Sequence, residues 1–79
     1  MKKNKLKHKY LRYFIKTHDI KDGYLKRGIY GAIFNHPKKI KRCLNNLNLK
    51  KTNFYLNIFF KLAKHFHSKE VINYINSIK

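Results

Sequence analysis

Residues 53–66, NFYLNIFFKLAKHF, decide the fold. Wound as a helix, Tyr55, Leu56, Ile58, Phe59, Phe60, Leu62, Ala63 and Phe66 cover more than half the circumference, and Asn57, Lys61, Lys64 and His65 are left as the wet stripe. An apolar arc that wide must meet several neighbours at once, so the segment predicts the central helix of a small bundle. Its most apolar part, 54–60, is interrupted by Asn57 and bounded by Lys51 and Lys61. It falls well short of the roughly 20 residues of a membrane span, so no transmembrane segment is expected.

Working outward, residues 37–47 (PKKIKRCLNNL) segregate just as cleanly. Ile40, Cys43, Leu44 and Leu47 point one way, and Lys38, Lys39, Lys41, Arg42 and Asn45 the other. Pro37 suits a first helical position and disfavours helix at His36 before it. A polar link over 48–52 follows, with Thr52 placed to cap the core helix. Beyond that helix, Ser68 is placed to cap a last one over 69–78, with Val71, Ile75 and Ile78 inward and Asn73, Asn76 and Ser77 outward.

Toward the N-terminus, Asp22 is positioned to cap a helix over 23–35 whose apolar side is Leu25, Ile29, Ala32 and Ile33. Gly23, Gly28 and Gly31 each weaken it by up to about 1 kcal/mol relative to Ala. Gly28 and Gly31, three apart on one face, would admit a neighbouring helix, or alternatively a sugar-phosphate backbone, at close range. Residues 4–17 predict the first helix, with Leu6, Tyr10, Tyr13 and Phe14 on one face and Lys5, Lys9, Arg12 and Lys16 along the opposite one. No stretch alternates apolar and polar long enough for a strand. The expected fold is therefore all-α: one domain over 1–79, a small bundle of about five short helices with a lysine-rich N-terminal extension, its first five residues a basic tail.

Charge narrows the partner. Twenty lysines and arginines stand against three acidic residues, a formal net charge of +17 on 79 residues. Ordinary helix faces interleave Glu with Lys at i,i+4, which these do not. Such an excess opposes compaction by self-repulsion, whereas a polyanion turns it into binding energy through counterion release. The expected phosphate-contacting residues are Lys2, Lys3 and Lys5 with Lys9, Arg12 and Lys16; Lys26 and Arg27; Lys38, Lys39, Lys41 and Arg42; and Lys50 and Lys51. Lysines serve as point charges on a backbone, and the three arginines Arg12, Arg27 and Arg42 can fork onto phosphates or stack on bases. Among aromatic residues, Tyr10, Tyr13, Tyr24, Tyr30 and Tyr55 border apolar faces, where packing against the core competes with base stacking.

Catalytic chemistry has little to stand on. Three acids give no carboxylate cluster for metal-assisted hydrolysis. His65 and His67 diverge on a helix, and His8, His18 and His36 lie at no familiar ligand spacing, so no metal and no cofactor is expected. Gly28-Ile29-Tyr30-Gly31 lacks the lysine and hydroxyl of a phosphate-binding loop. Cys43 is solitary and reads as a small buried hydrophobe. No enzyme activity and no small-molecule substrate are predicted.

The first ten residues are charged like a signal peptide, but the apolar block that should follow is broken by Arg12 and Lys16, so secretion is not expected. The preference for Phe, Tyr, Met, Ile, Asn and Lys over Gly, Ala, Arg and Pro matches an AT-rich genome, as found in many organelles, mitochondria and plastids included, and in many parasites and symbionts. The expectation is an intracellular, structural RNA-binding protein, similar in composition to small ribosomal proteins, with rRNA and neighbouring proteins of a ribonucleoprotein particle as partners. The alternatives are a DNA-binding or nucleoid protein using helices three and four as a helix-turn-helix, and a cationic membrane-active bundle.

Overall fold

The computed structural model describes the backbone of residues 2–47 and 52–78 and the side chains of residues 5–47 and 54–78. Five helices follow one another: α1 (Lys2–Thr17), α2 (Gly23–Phe34), α3 (Pro37–Asn46), α4 (Thr52–His65) and α5 (Lys69–Ile78). There is no strand among the described residues. The first helix begins at Lys2, two residues before the expected start at Asn4. The expected Thr52 cap and the link over 48–51 lie outside the described side chains and backbone.

Each boundary has a local cause. Asp22, in extended conformation, accepts from the backbone N–H of Tyr24 (2.7 Å) and Leu25 (3.2 Å), occupying donors that the start of α2 leaves free. Pro37 opens α3. Three helices end on a left-handed residue that is not glycine: Asp19 after α1, Asn35 after α2 and His67 after α4. At the first and last of these the next N–H reaches back five residues, Ile20 to Ile15 (3.0 Å) and Ser68 to Ala63 (2.8 Å), which caps the terminal carbonyls in the Schellman manner.

The core is drawn from four helices. Ile29, Ala32 and Ile33 of α2 meet Ile40 and Cys43 of α3, Leu56, Phe59, Leu62 and Ala63 of α4, and Val71 and Ile75 of α5. Phe59 lies fully buried beneath α2, where a Cβ on Gly28 would stand 2.6 Å from its Cζ and 2.9 Å from Cys43 Sγ. A Cβ on Gly31 would stand 2.7 Å from the His36 carbonyl oxygen. Both glycines are buried, so of the two uses open to them they serve helix packing.

Among its described side chains α1 contributes none to the fully buried set. It leans on the core through half-buried Tyr10, Leu11 and Phe14. Leu6 and Tyr13, expected on the inner face, are 69% and 66% exposed. The face that packs instead runs through Lys7, Tyr10, Leu11 and Phe14. Lys7 can occupy it because its ammonium lies 5.7 Å from the centre of the Phe34 ring and its aliphatic stem covers apolar surface. Ile78, also expected inward, is 44% exposed at the end of α5. The molecule measures 35 × 27 × 17 Å.

Candidate nucleic-acid interface

α2 and α3 lie antiparallel, joined by Asn35 and His36. The glycines fix the register, with Gly31 against Lys39 and Ile40 and Gly28 against Cys43 about one turn farther from the link. Arg27, one residue before Gly28, is thereby brought beside Arg42. A cleft forms between the helices, lined by Arg27, His36, Lys38, Lys39 and Arg42, with Cys43 at its floor. The four cationic side chains and His36 are all exposed.

No carboxylate among the described residues forms an ion pair with them. Among the described residues the one ion pair joins Lys21 to Asp19 at 4.0 Å, both highly exposed. The carboxylate of Asp22 is engaged at the start of α2, and Glu70 sits in the first turn of α5. Lys38 and Lys39 occupy the first turn of α3, which holds no acidic residue. A helix N-terminus carries partial positive charge and favours anions, so two lysines there are unfavourable until an anion joins them.

The floor is chemically inert. Burial first, and the negative charge of Asp22 second, push the Cys43 thiol up from 9.0 to about 11, with a backbone hydrogen bond at Gly28 acting in the opposite direction. It is therefore a neutral packing group at physiological pH, as its solitary position in the sequence implied. Among the described residues no group of three or more His, Cys, Asp or Glu could hold a metal ion.

One wall of the cleft continues into a series of rings. Phe34 and Tyr30, a turn apart on α2, stack with centroids 4.5 Å apart and planes within 19°. The His36 ring lies 5.8 Å from Tyr30 with the planes within 6°, and Lys39 Nζ is 5.3 Å from the Tyr30 centroid. From the other side His8 of α1 packs on Phe34 at 4.7 Å. These rings hold α1 to the α2–α3 pair and lead from the interior to the mouth of the cleft.

A second basic surface is separate from the cleft in sequence and element. Lys5, Lys9, Arg12 and Lys16 are all exposed, on the side of α1 opposite Tyr10, Leu11 and Phe14. Of the other expected contacts, Lys26 is exposed on α2, and Lys41 is exposed on α3 without lining the cleft. The side chains of Lys2 and Lys3, and all of Lys50 and Lys51, lie outside the described residues. Tyr10, Tyr30 and Tyr55 are half-buried, while Tyr13 and Tyr24 are exposed. His36 was not among the expected contacts. Its position next to Pro37, at the head of the most basic helix, was the available signal.

No protein-family model matches this chain, no curated protein matches it in sequence, and no solved structure matches its fold. Among the described residues no helix is long and apolar enough to cross a membrane.

Proposed function

We propose that the protein is a structural RNA-binding subunit of a ribosome or comparable ribonucleoprotein particle, holding the phosphate backbone in the α2–α3 cleft and along the outer stripe of α1. The observation that carries this reading is the convergence of Arg27, Lys38, Lys39 and Arg42 on one cleft without an acidic partner. Four phosphates neutralised there correspond to a log–log salt slope of roughly 3 on single strands and somewhat more on duplex DNA. The neutral outer face of α5, with Asn73, Asn76 and Ser77 exposed, is the side left for neighbouring proteins.

The connection between α3 and α4 favours RNA over a helix-turn-helix reading of DNA. In that motif the helices are joined by a turn of three to four residues, whereas residues 47–51 separate α3 from α4. The exposed stripe of α4, with Asn57, Lys61, Lys64 and His65, is the polar face that this second reading would use. Crosslinking in cells, followed by identification of the attached nucleic acid, tests the proposal. RNA of a defined particle supports it; duplex DNA retained after RNase treatment would assign the second reading, and no attached nucleic acid would overturn both.

A further inference from the structure

We infer that the α2–α3 cleft holds an unpaired nucleotide, its base stacked on the exposed imidazole of His36 and its flanking phosphates on Arg27, Lys38, Lys39 and Arg42. The inference rests on the RNA-binding proposal and specifies what that site takes.

Three observations point to it. First, the rings form a graded series: Phe34 is half-buried, Tyr30 is half-buried and parallel to Phe34 within 19°, and His36 is exposed and parallel to Tyr30 within 6°. A planar group at the cleft mouth can extend a stack already anchored in the protein, and so loses little freedom in ordering its platform. Second, His36 occupies the capping position of α3, yet its side chain makes no capping hydrogen bond. The contact that places the imidazole is the parallel packing on Tyr30, which leaves the ring exposed where it borders the cleft. Third, the same ring borders the cleft that the four cationic side chains line. Imidazole is among the side chains on which unstacked bases are held in RNA loops and bulges, and phosphate contact beside such a platform fixes the nucleotide's register.

A fully paired helix cannot use this platform, because its bases are already stacked on one another. The cleft should therefore prefer RNA with a bulged or looped nucleotide, and the preference should depend on ring area at position 36 rather than on charge alone. Base stacking on an aromatic side chain is worth about tenfold in affinity.

The test uses the full chain and two RNA hairpins closed by the same non-nucleotide linker, one fully paired and the other differing only by a single bulged 2-aminopurine. The wild type is expected to bind the bulged hairpin about tenfold more tightly and to quench its fluorescence. His36→Ala should remove the preference and the quenching, and His36→Phe should restore both. Helicity by circular dichroism confirms that each variant folds. Equal affinity of the wild type for the two hairpins, or a preference that survives His36→Ala, overturns the stacking site and leaves the RNA-binding proposal standing. Binding to neither hairpin overturns the stacking site and counts against RNA binding by this cleft as well.

Discussion

Asn35, the residue that ends α2, caps α5: its side-chain oxygen accepts from the backbone N–H of Glu70 at 3.0 Å and of Val71 at 3.2 Å. These are the donors that a residue immediately before α5 would ordinarily satisfy. Ser68 stands in that place, but its hydroxyl donates instead to the Ala32 carbonyl at 2.6 Å. The reason lies in α2. Pro37 has no N–H to offer the Ile33 carbonyl, and the N–H of His36 goes to Gly31 at 2.8 Å. The last carbonyls of α2 therefore need an outside donor, and Ser68 supplies it. The two polar side chains have exchanged the partners that sequence proximity assigns.

The exchange separates two contributions at Asn35. Asn35→Gly keeps the left-handed backbone at φ 63° but removes the cap, and should lower unfolding free energy by about 1 kcal/mol. Asn35→Ala adds left-handed strain and should cost about 2 kcal/mol or more. Urea unfolding of the two variants checks the order. Equal losses would mean that the cross-helix cap contributes the whole effect.

The glycines of α2 should respond in opposite directions to one substitution. Gly23→Ala meets nothing within 4 Å, so helix propensity favours it by up to about 1 kcal/mol. Gly31→Ala drives a methyl group to 2.7 Å from a backbone carbonyl, and should destabilise by roughly 1–3 kcal/mol in spite of that propensity. Midpoints of thermal or urea unfolding decide it; a stabilised Gly31→Ala variant would contradict the close approach of α2 and α3.

Cys43 should be silent in the native state. With its thiol pushed up to about 11 by burial and then by Asp22, it should resist a thiol-specific reagent at pH 8 and react on unfolding. The linkage has a definite sign. The folded thiol holds its proton longer than the unfolded one, so the stabilisation is fully present below about pH 9 and is lost as pH rises toward 11. The stability difference between wild type and Cys43→Ala should accordingly narrow over that window, a comparison in which the titration of the lysines largely cancels.

Reversing the α1 stripe tests the second basic surface. Lys5→Glu, Lys9→Glu, Arg12→Glu and Lys16→Glu combined change only exposed positions on a helix that adds no described side chain to the fully buried core. Helicity should survive, and on the proposed function co-sedimentation with ribosomal particles should be lost. Normal incorporation would remove α1 from the interface.

Much of this was legible in the sequence because it is local. The 3.6-residue spacing on 53–66, the acid at Asp22 and the proline at 37 each act within a few residues, and they set the helices where the structure has them. The inner face of α1 was not legible. It depends on which side meets Phe34 and Phe66, and there a lysine displaced two apolar residues. Lys7 packs because Phe34 offers its ring, whereas Leu6 and Tyr13 lie off the line of contact and remain exposed. The cleft was half legible. Each basic residue could be named, but bringing Arg27 to Arg42 requires the register that Gly28 and Gly31 impose, and the part of His36 requires the orientation of Tyr30.

The salt dependence of RNA affinity tests the central claim most directly. Measured from low to moderate salt on one RNA, Arg27→Ala, Lys38→Ala and Arg42→Ala combined should reduce the log–log slope by about 2 to 3 relative to wild type, since each removed phosphate contact takes away about 0.7 to 0.9. Helicity should be unchanged. A slope equal to that of the wild type would show that phosphates do not enter the cleft, and would contradict the account.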